Sequence, residues 1–176
     1  MVKGVISVLM TTGLLLGTVV AVGAVVGLTL PETHEQARSA RLAAPPSKVY
    51  ALITDVAQYP AWRSDVSKVE ILPDDGEGLR FTEYSDERTD AIRYRIEDAS
   101  PPNRLKIRVD DDSLPFGGTW TYLLQPFEDG TSVTITENGR IGNPLFRVIA
   151  KVLFSPTDAM DRYLHDLARV EGIGRH

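Results

Sequence analysis

The sequence contains no cysteine. That excludes a disulfide framework, thiolate metal ligands and a Cys nucleophile, and it leaves the redox compartment open. Histidine is scarce. His34, His165 and His176 lie far apart and share no metal-ligand spacing, so surface or terminal roles are expected and no metal is. No basic block occurs: past Leu30, 18 Lys and Arg face 24 Asp and Glu, a net charge of −6. Phosphate binding needs clustered cations, so no nucleic-acid partner is expected. There is no G-x-S-x-G elbow, no P-loop and no G-x-G-x-x-G fingerprint, and nothing calls for a cofactor. Asp110-Asp111-Asp112 lacks the Gly and the distal Glu of a calcium loop and reads as a solvated turn.

Charge is also missing from one long stretch. From Gly4 to Leu30 there are 27 residues without a charge: 17 apolar, 5 Gly and 5 Ser or Thr. As a helix they would span about 40 Å against roughly 30 Å of hydrocarbon, enough for a tilted crossing. A cut at Ala21-Val22-Gly23 would leave an exposed apolar tail, so residues 4–30 are expected to be a retained single-pass anchor. Lys3 lies on one side of it and Arg38, Arg41 and Lys48 on the other, which leaves the side of the remaining chain open. Gly13, Gly17, Val20, Ala24 and Gly27 fall on one stripe of such a helix. Gly13, Gly17, Ala24 and Gly27 would admit a second copy, a homodimer, although glycine is simply common in membrane helices.

Beyond Pro31, residues 31–36 read as a polar linker and 37–172 as one domain. A first strand over 37–44 ends at Pro45-Pro46, and Val49, Leu52, Ile53 and Val56 are spaced for a short helix. Tyr59-Pro60-Ala61-Trp62 breaks it. Alternating segments then follow at Val66–Leu72, Leu79–Ser85, Ile92–Glu97, Leu105–Asp110, Trp120–Leu124 and Val133–Glu137, separated by short Asp-, Pro- and Gly-rich turns. Strands joined so tightly must be antiparallel. From Asn143 the period changes to that of a helix, capped by Asn143, opened by Pro144, closed by Gly172 and kinked at Pro156. The order is α+β: a curved antiparallel sheet of about seven strands wrapped around a long C-terminal helix.

Three stretches carry a family resemblance: Ala44-Pro-Pro-Ser-Lys-Val-Tyr-Ala-Leu-Ile-Thr-Asp55 running into Tyr59-Pro60-Ala61-Trp62; Gly118-Thr-Trp-Thr-Tyr122 through Gly130-Thr-Ser-Val-Thr-Ile-Thr-Glu137; and Asn143-Pro-Leu-Phe146 with Asp161-Arg-Tyr-Leu164. They resemble the SRPBCC superfamily, the helix-grip proteins that include START domains, birch-pollen-allergen-like proteins and polyketide cyclase or dehydrase relatives. The resemblance implies a helix-grip fold and leaves function open among carriers, receptors and enzymes.

One helix cannot fill a strongly curved sheet, so a cavity of roughly 300–1,000 Å³ is expected between them. Phe81, Tyr94, Trp120, Tyr122, Glu137, Phe146 and Leu153 are its expected lining. Glu137 shares parity with Val133 and Ile135, and Glu83 with Leu79 and Phe81, so both carboxylates point inward. There each must be paired, for example with Arg140, or become neutral. The expected function is membrane-anchored binding or transport of a small apolar ligand such as a lipid, quinone or polyketide-like compound. The alternative is a cyclase or dehydratase that uses Glu137, Glu83 or a Tyr as acid or base in the same cavity.

Overall fold

The alternation is realised as one sheet. The computed structural model describes residues 17–18, 20–86, 91–153, 155 and 157–170, with the side chain of Leu153 left aside. Its strands are β1 (Thr33–Leu42), β2 (Lys68–Ile71), β3 (Arg80–Tyr84), β4 (Ile92–Ser100), β5 (Arg104–Val109), β6 (Phe116–Phe127) and β7 (Gly130–Ile141). They lie in the order β1-β7-β6-β5-β4-β3-β2, every pair antiparallel. Each strand neighbours the next in sequence except β1, which closes onto β7. The expected linker is therefore shorter than its sequence suggests: 33–36 are the first residues of β1, paired with 137–140. Their inward side chains are polar, which hides the strand from a search for apolar alternation.

Helix α2 (Pro46–Thr54) buries Val49, Tyr50 and Ile53, and α3 (Tyr59–Trp62) buries both of its aromatics. Asn143 caps the closing segment as expected: the Phe146 N–H donates to its Oδ1 at 3.1 Å, with Pro144 at the first helical position. The closing segment differs from expectation in being two helices, α4 (Pro144–Leu153) and α5 (Asp158–Val170). Pro156 falls between them in the sequence, and a proline both removes an N–H donor and disfavours helical backbone before it. Helix α5 carries the grip. Met160, Tyr163, Leu164 and Leu167 are buried against the sheet with Phe81, Leu105, Tyr122, Leu124, Val133 and Ile135. Arg38 of β1 fastens its start, donating to Thr157 Oγ1 at 3.0 Å and pairing with Asp161 at 3.2 Å.

A further helix, α1 (20–29), precedes the sheet. No helix among the described residues is long and apolar enough to cross a membrane. Residues 4–16 and Val19, half of the expected anchor, lie outside the described residues, as does Gly13 of the expected dimer stripe. Gly17 is exposed and Ala24 half-buried. Gly27 is not open to a second copy, because the Pro144 carbonyl fills the place where its Cβ would stand.

Candidate functional site

Three strands meet at one end of the concave face, and their inward side chains change character along it. The register places Leu124 beside Val133, then Tyr122 beside Ile135, then Trp120 beside Glu137, then Gly118 beside Gly139. On the other flank of β7, Ala40, Arg38, Gln36 and His34 lie opposite the same four β7 positions. The rows therefore run from a closed apolar core to a row holding two glycines and a histidine. Gly118 has φ +142°, and a Cβ there would collide with the Asn138 carbonyl. The His34 ring lies where Gly139 would carry its Cβ.

Glu137 is the chemically distinctive group. Its side chain is 25% exposed, and His34 Nε2 lies 3.8 Å from its Oε1. Trp120 is its register neighbour on β6, with an indole N–H that favours the ionised carboxyl. Burial pushes the carboxyl above the usual 4.5, and the pull of His34 and of the indole N–H only partly offsets it. On the far side of Trp120, its ring meets Tyr163 edge-on at 6.1 Å and Tyr122 at 6.3 Å. Phe146 of α4 stacks on Phe116 at 6.4 Å and places α4 at the rim.

The expected lining divides accordingly. Trp120, Glu137 and Phe146 are half-buried around this end of the face. Phe81 and Tyr122 are buried, at 0% and 3% exposure, among the side chains of the core. Tyr94 stacks on Phe81 at 5.6 Å on the β3–β4 side, apart from the Glu137 group. Leu153 ends α4, and its side chain lies outside the described residues.

Glu83 is a structural carboxylate. Arg63 donates to it at 2.7 Å, and Arg63 is in turn held by Asp65 at 2.8 Å and lies over the rings of Tyr59 and Tyr163. Its partner is thus Arg63 rather than Arg140, which pairs with Glu32. A tyrosine base is disfavoured: burial drives Tyr59, Tyr122 and Tyr163 well above the usual 10. Among the described residues no three His, Asp or Glu side chains are grouped to hold a metal ion. His34 and Gln36 are the residues that sequence reasoning misses. Their parity with Ala40 and Leu42 was the available signal, once β1 is begun at Thr33.

Residues 33–170 match the family model described as polyketide cyclase / dehydrase and lipid transport. The chain belongs to that family. Helix α1 precedes the matched segment, and everything that builds the Glu137 site lies within it. A curated relative, the bifunctional cyclase/dehydratase of the granaticin polyketide synthase from Streptomyces violaceoruber, is 25% identical over 143 residues. The match covers 78% of this chain and 42% of that protein, so this family member spans less than half of its relative's length. Among solved structures it is similar to the Zhui aromatase/cyclase from Streptomyces sp. R1128, with a TM-score of 0.62 and 12% identity over 80% of this chain and 94% of the other. Norcoclaurine synthase from Thalictrum flavum gives 0.64 and 14% over 83% and 90%. The di-domain aromatase/cyclase StfQ of the steffimycin pathway gives 0.62 and 11% over 81% and 51%. At these identities the structural likeness establishes the helix-grip fold.

Proposed function

We propose that this family member is an enzyme of the cyclase or dehydratase kind, acting on a small apolar substrate with carbonyl or hydroxyl groups. Glu137 is its acid–base residue. The observation that carries the reading is the Glu137 carboxyl, raised by burial and flanked by His34 and Trp120 at the partly exposed, polar end of the concave face. A carboxyl held above its usual value binds and gives back a proton nearer to working pH than an exposed one does. As carboxylate, Glu137 would take the proton α to a ketone. As carboxylic acid it would return that proton to the alkoxide formed when the enolate adds to a second carbonyl, or to a departing hydroxyl that leaves as water. Trp120 and Phe146 would hold the planar substrate.

Kinship with cyclase/dehydratases supports this reading better than plain binding or transport, which was the expectation from the sequence. A carrier needs only the space and gives the raised carboxyl no task. The test offers a linear poly-β-keto thioester to the full chain and follows aromatic product by absorbance, with Trp120 fluorescence reporting binding. Glu137→Gln should still bind and should lose roughly 10²–10⁴-fold in turnover. Binding without product in the parent chain, unchanged in Glu137→Gln, would restore the carrier reading.

A further inference from the structure

Helix α1 does not hang from the domain as a free lead-in. Gly27 is closed against the Pro144 carbonyl, and at Gly23 the Cβ position lies 3.1 Å from Leu145 Cδ1, so α1 is seated on the first turn of α4. Arg147 of α4 then locks it. Its Nη1 donates to the Gly27 and Leu30 carbonyls at 3.2 Å each, its Nε to the Ile141 carbonyl at 2.7 Å and its Nη2 to the Gly142 carbonyl at 2.9 Å. A helix end leaves its last carbonyls without intrahelical partners, and here a buried cation from another helix satisfies them. The direction of α1 is thereby tied to the direction of α4.

The pair exposes apolar side chains on both members. Val22, Val25, Val26 and Leu28 of α1 and Ile149 and Val152 of α4 are exposed, Val152 to 75%. Val152 follows Leu145 by seven residues, on the stripe of α4 that meets α1. No residue of α4 is acidic, and Lys151 stands exposed beside Val152.

We infer that α1 and α4 together form one docking surface whose partner is a lipid bilayer, laid so that α4 rests at the membrane boundary. The occupant follows from the chain itself. The uncharged run that begins at Gly4 leads directly into α1, and a segment so apolar is stable in hydrocarbon rather than in water. The Arg147 lock then brings Ile149 and Val152 to the same boundary, where Lys151 extends to lipid phosphate. Phe146, about a third of a turn round α4 from Val152, packs against Phe116. If the proposed function holds, α4 is a wall shared by bilayer and substrate site, and apolar substrate arrives from the lipid.

The absence of native cysteine allows a direct test. Single variants Val152→Cys, Val25→Cys and, as control on exposed Leu123 of β6, Leu123→Cys are made in the full chain and given nitroxide labels. Each is mixed with phosphatidylcholine vesicles with and without phosphatidylglycerol. The expected result is loss of access to a water-soluble nickel relaxant and gain of access to oxygen at positions 25 and 152, with no change at 123. Adding Arg147→Ala should leave position 25 in lipid and return position 152 to water. A label at 152 that keeps full water access while the chain is vesicle-bound overturns the inference. So does absence of vesicle binding, or spin–spin broadening at 152 without lipid, which would mean that a second copy covers the face.

Discussion

Arg63 and Glu83 meet at 2.7 Å with side chains only 9% and 4% exposed, and they tie the turn after α3 to β3 beneath the aromatic cluster. Burying two charges is costly, and their attraction offsets that cost only while both are present. Glu83→Gln should therefore destabilise the fold by about 3 kcal/mol, the lower end for breaking a buried pair, because Asp65 still holds Arg63. Urea denaturation measures it. A loss below about 1 kcal/mol would show that the pair behaves as an exposed one.

Glu137 predicts the opposite sign. Since the fold holds its carboxyl above 4.5, the native state binds that proton more tightly than the unfolded chain. Well below 4.5 the residue has no effect. As pH rises through the raised value, the ionised group subtracts stability. Glu137→Gln should match the parent in acid and melt higher at neutral pH; equal melting temperatures at both would remove the shift.

His34 restrains that shift, because its attraction to the carboxylate lowers the Glu137 value. His34→Ala should move the Glu137 titration upward, read by carbon-13 NMR of its carboxyl, and should move the acidic limb of any pH–rate profile the same way. A downward movement would place another group in control.

Acid should weaken the β4–β5 side. Asp111, bonded to Ser113 and Arg93, is pulled down to about 2, and the hydrogen bonds from Arg95 hold Asp75 well below the usual range. Their contributions are present above the usual 3.8 and are lost as pH falls through the depressed values. Asp111→Asn should be less stable than the parent at neutral pH, match it in strong acid, and so flatten the stability-against-pH slope below pH 3.8. Parallel acid titrations of the two proteins, followed by circular dichroism, check this.

Gly118→Ala should cost about 1–3 kcal/mol, because a side chain at φ +142° is strained and its Cβ meets the Asn138 carbonyl. Any relief requires β6 to shift against β7, so ligand contact at Trp120 should weaken as well. Unchanged stability with unchanged binding would mean that the strand adapts there at no cost.

Much of this molecule is legible along the chain. The alternation in Ile92–Glu97 and Leu105–Asp110, the Asn143–Pro144 helix start and the inward parity of Glu137 and Glu83 all appear as strands, cap and inward carboxylates. These features are local: side-chain period and capping depend on residues within a few positions of one another. The partners of those residues are not local. His34 and Gln36 flank Glu137 only because β1 closes onto β7, about a hundred residues later in the chain. Arg63 reaches Glu83 from the turn after α3, and Gly27 faces Pro144 because Arg147 draws α1 onto α4. Burial sets which sheet edge closes and which charges must pair, and burial is a property of the whole packed chain. The sequence by itself determined the strands, the caps and which way Glu137 points; tertiary packing decided what meets it.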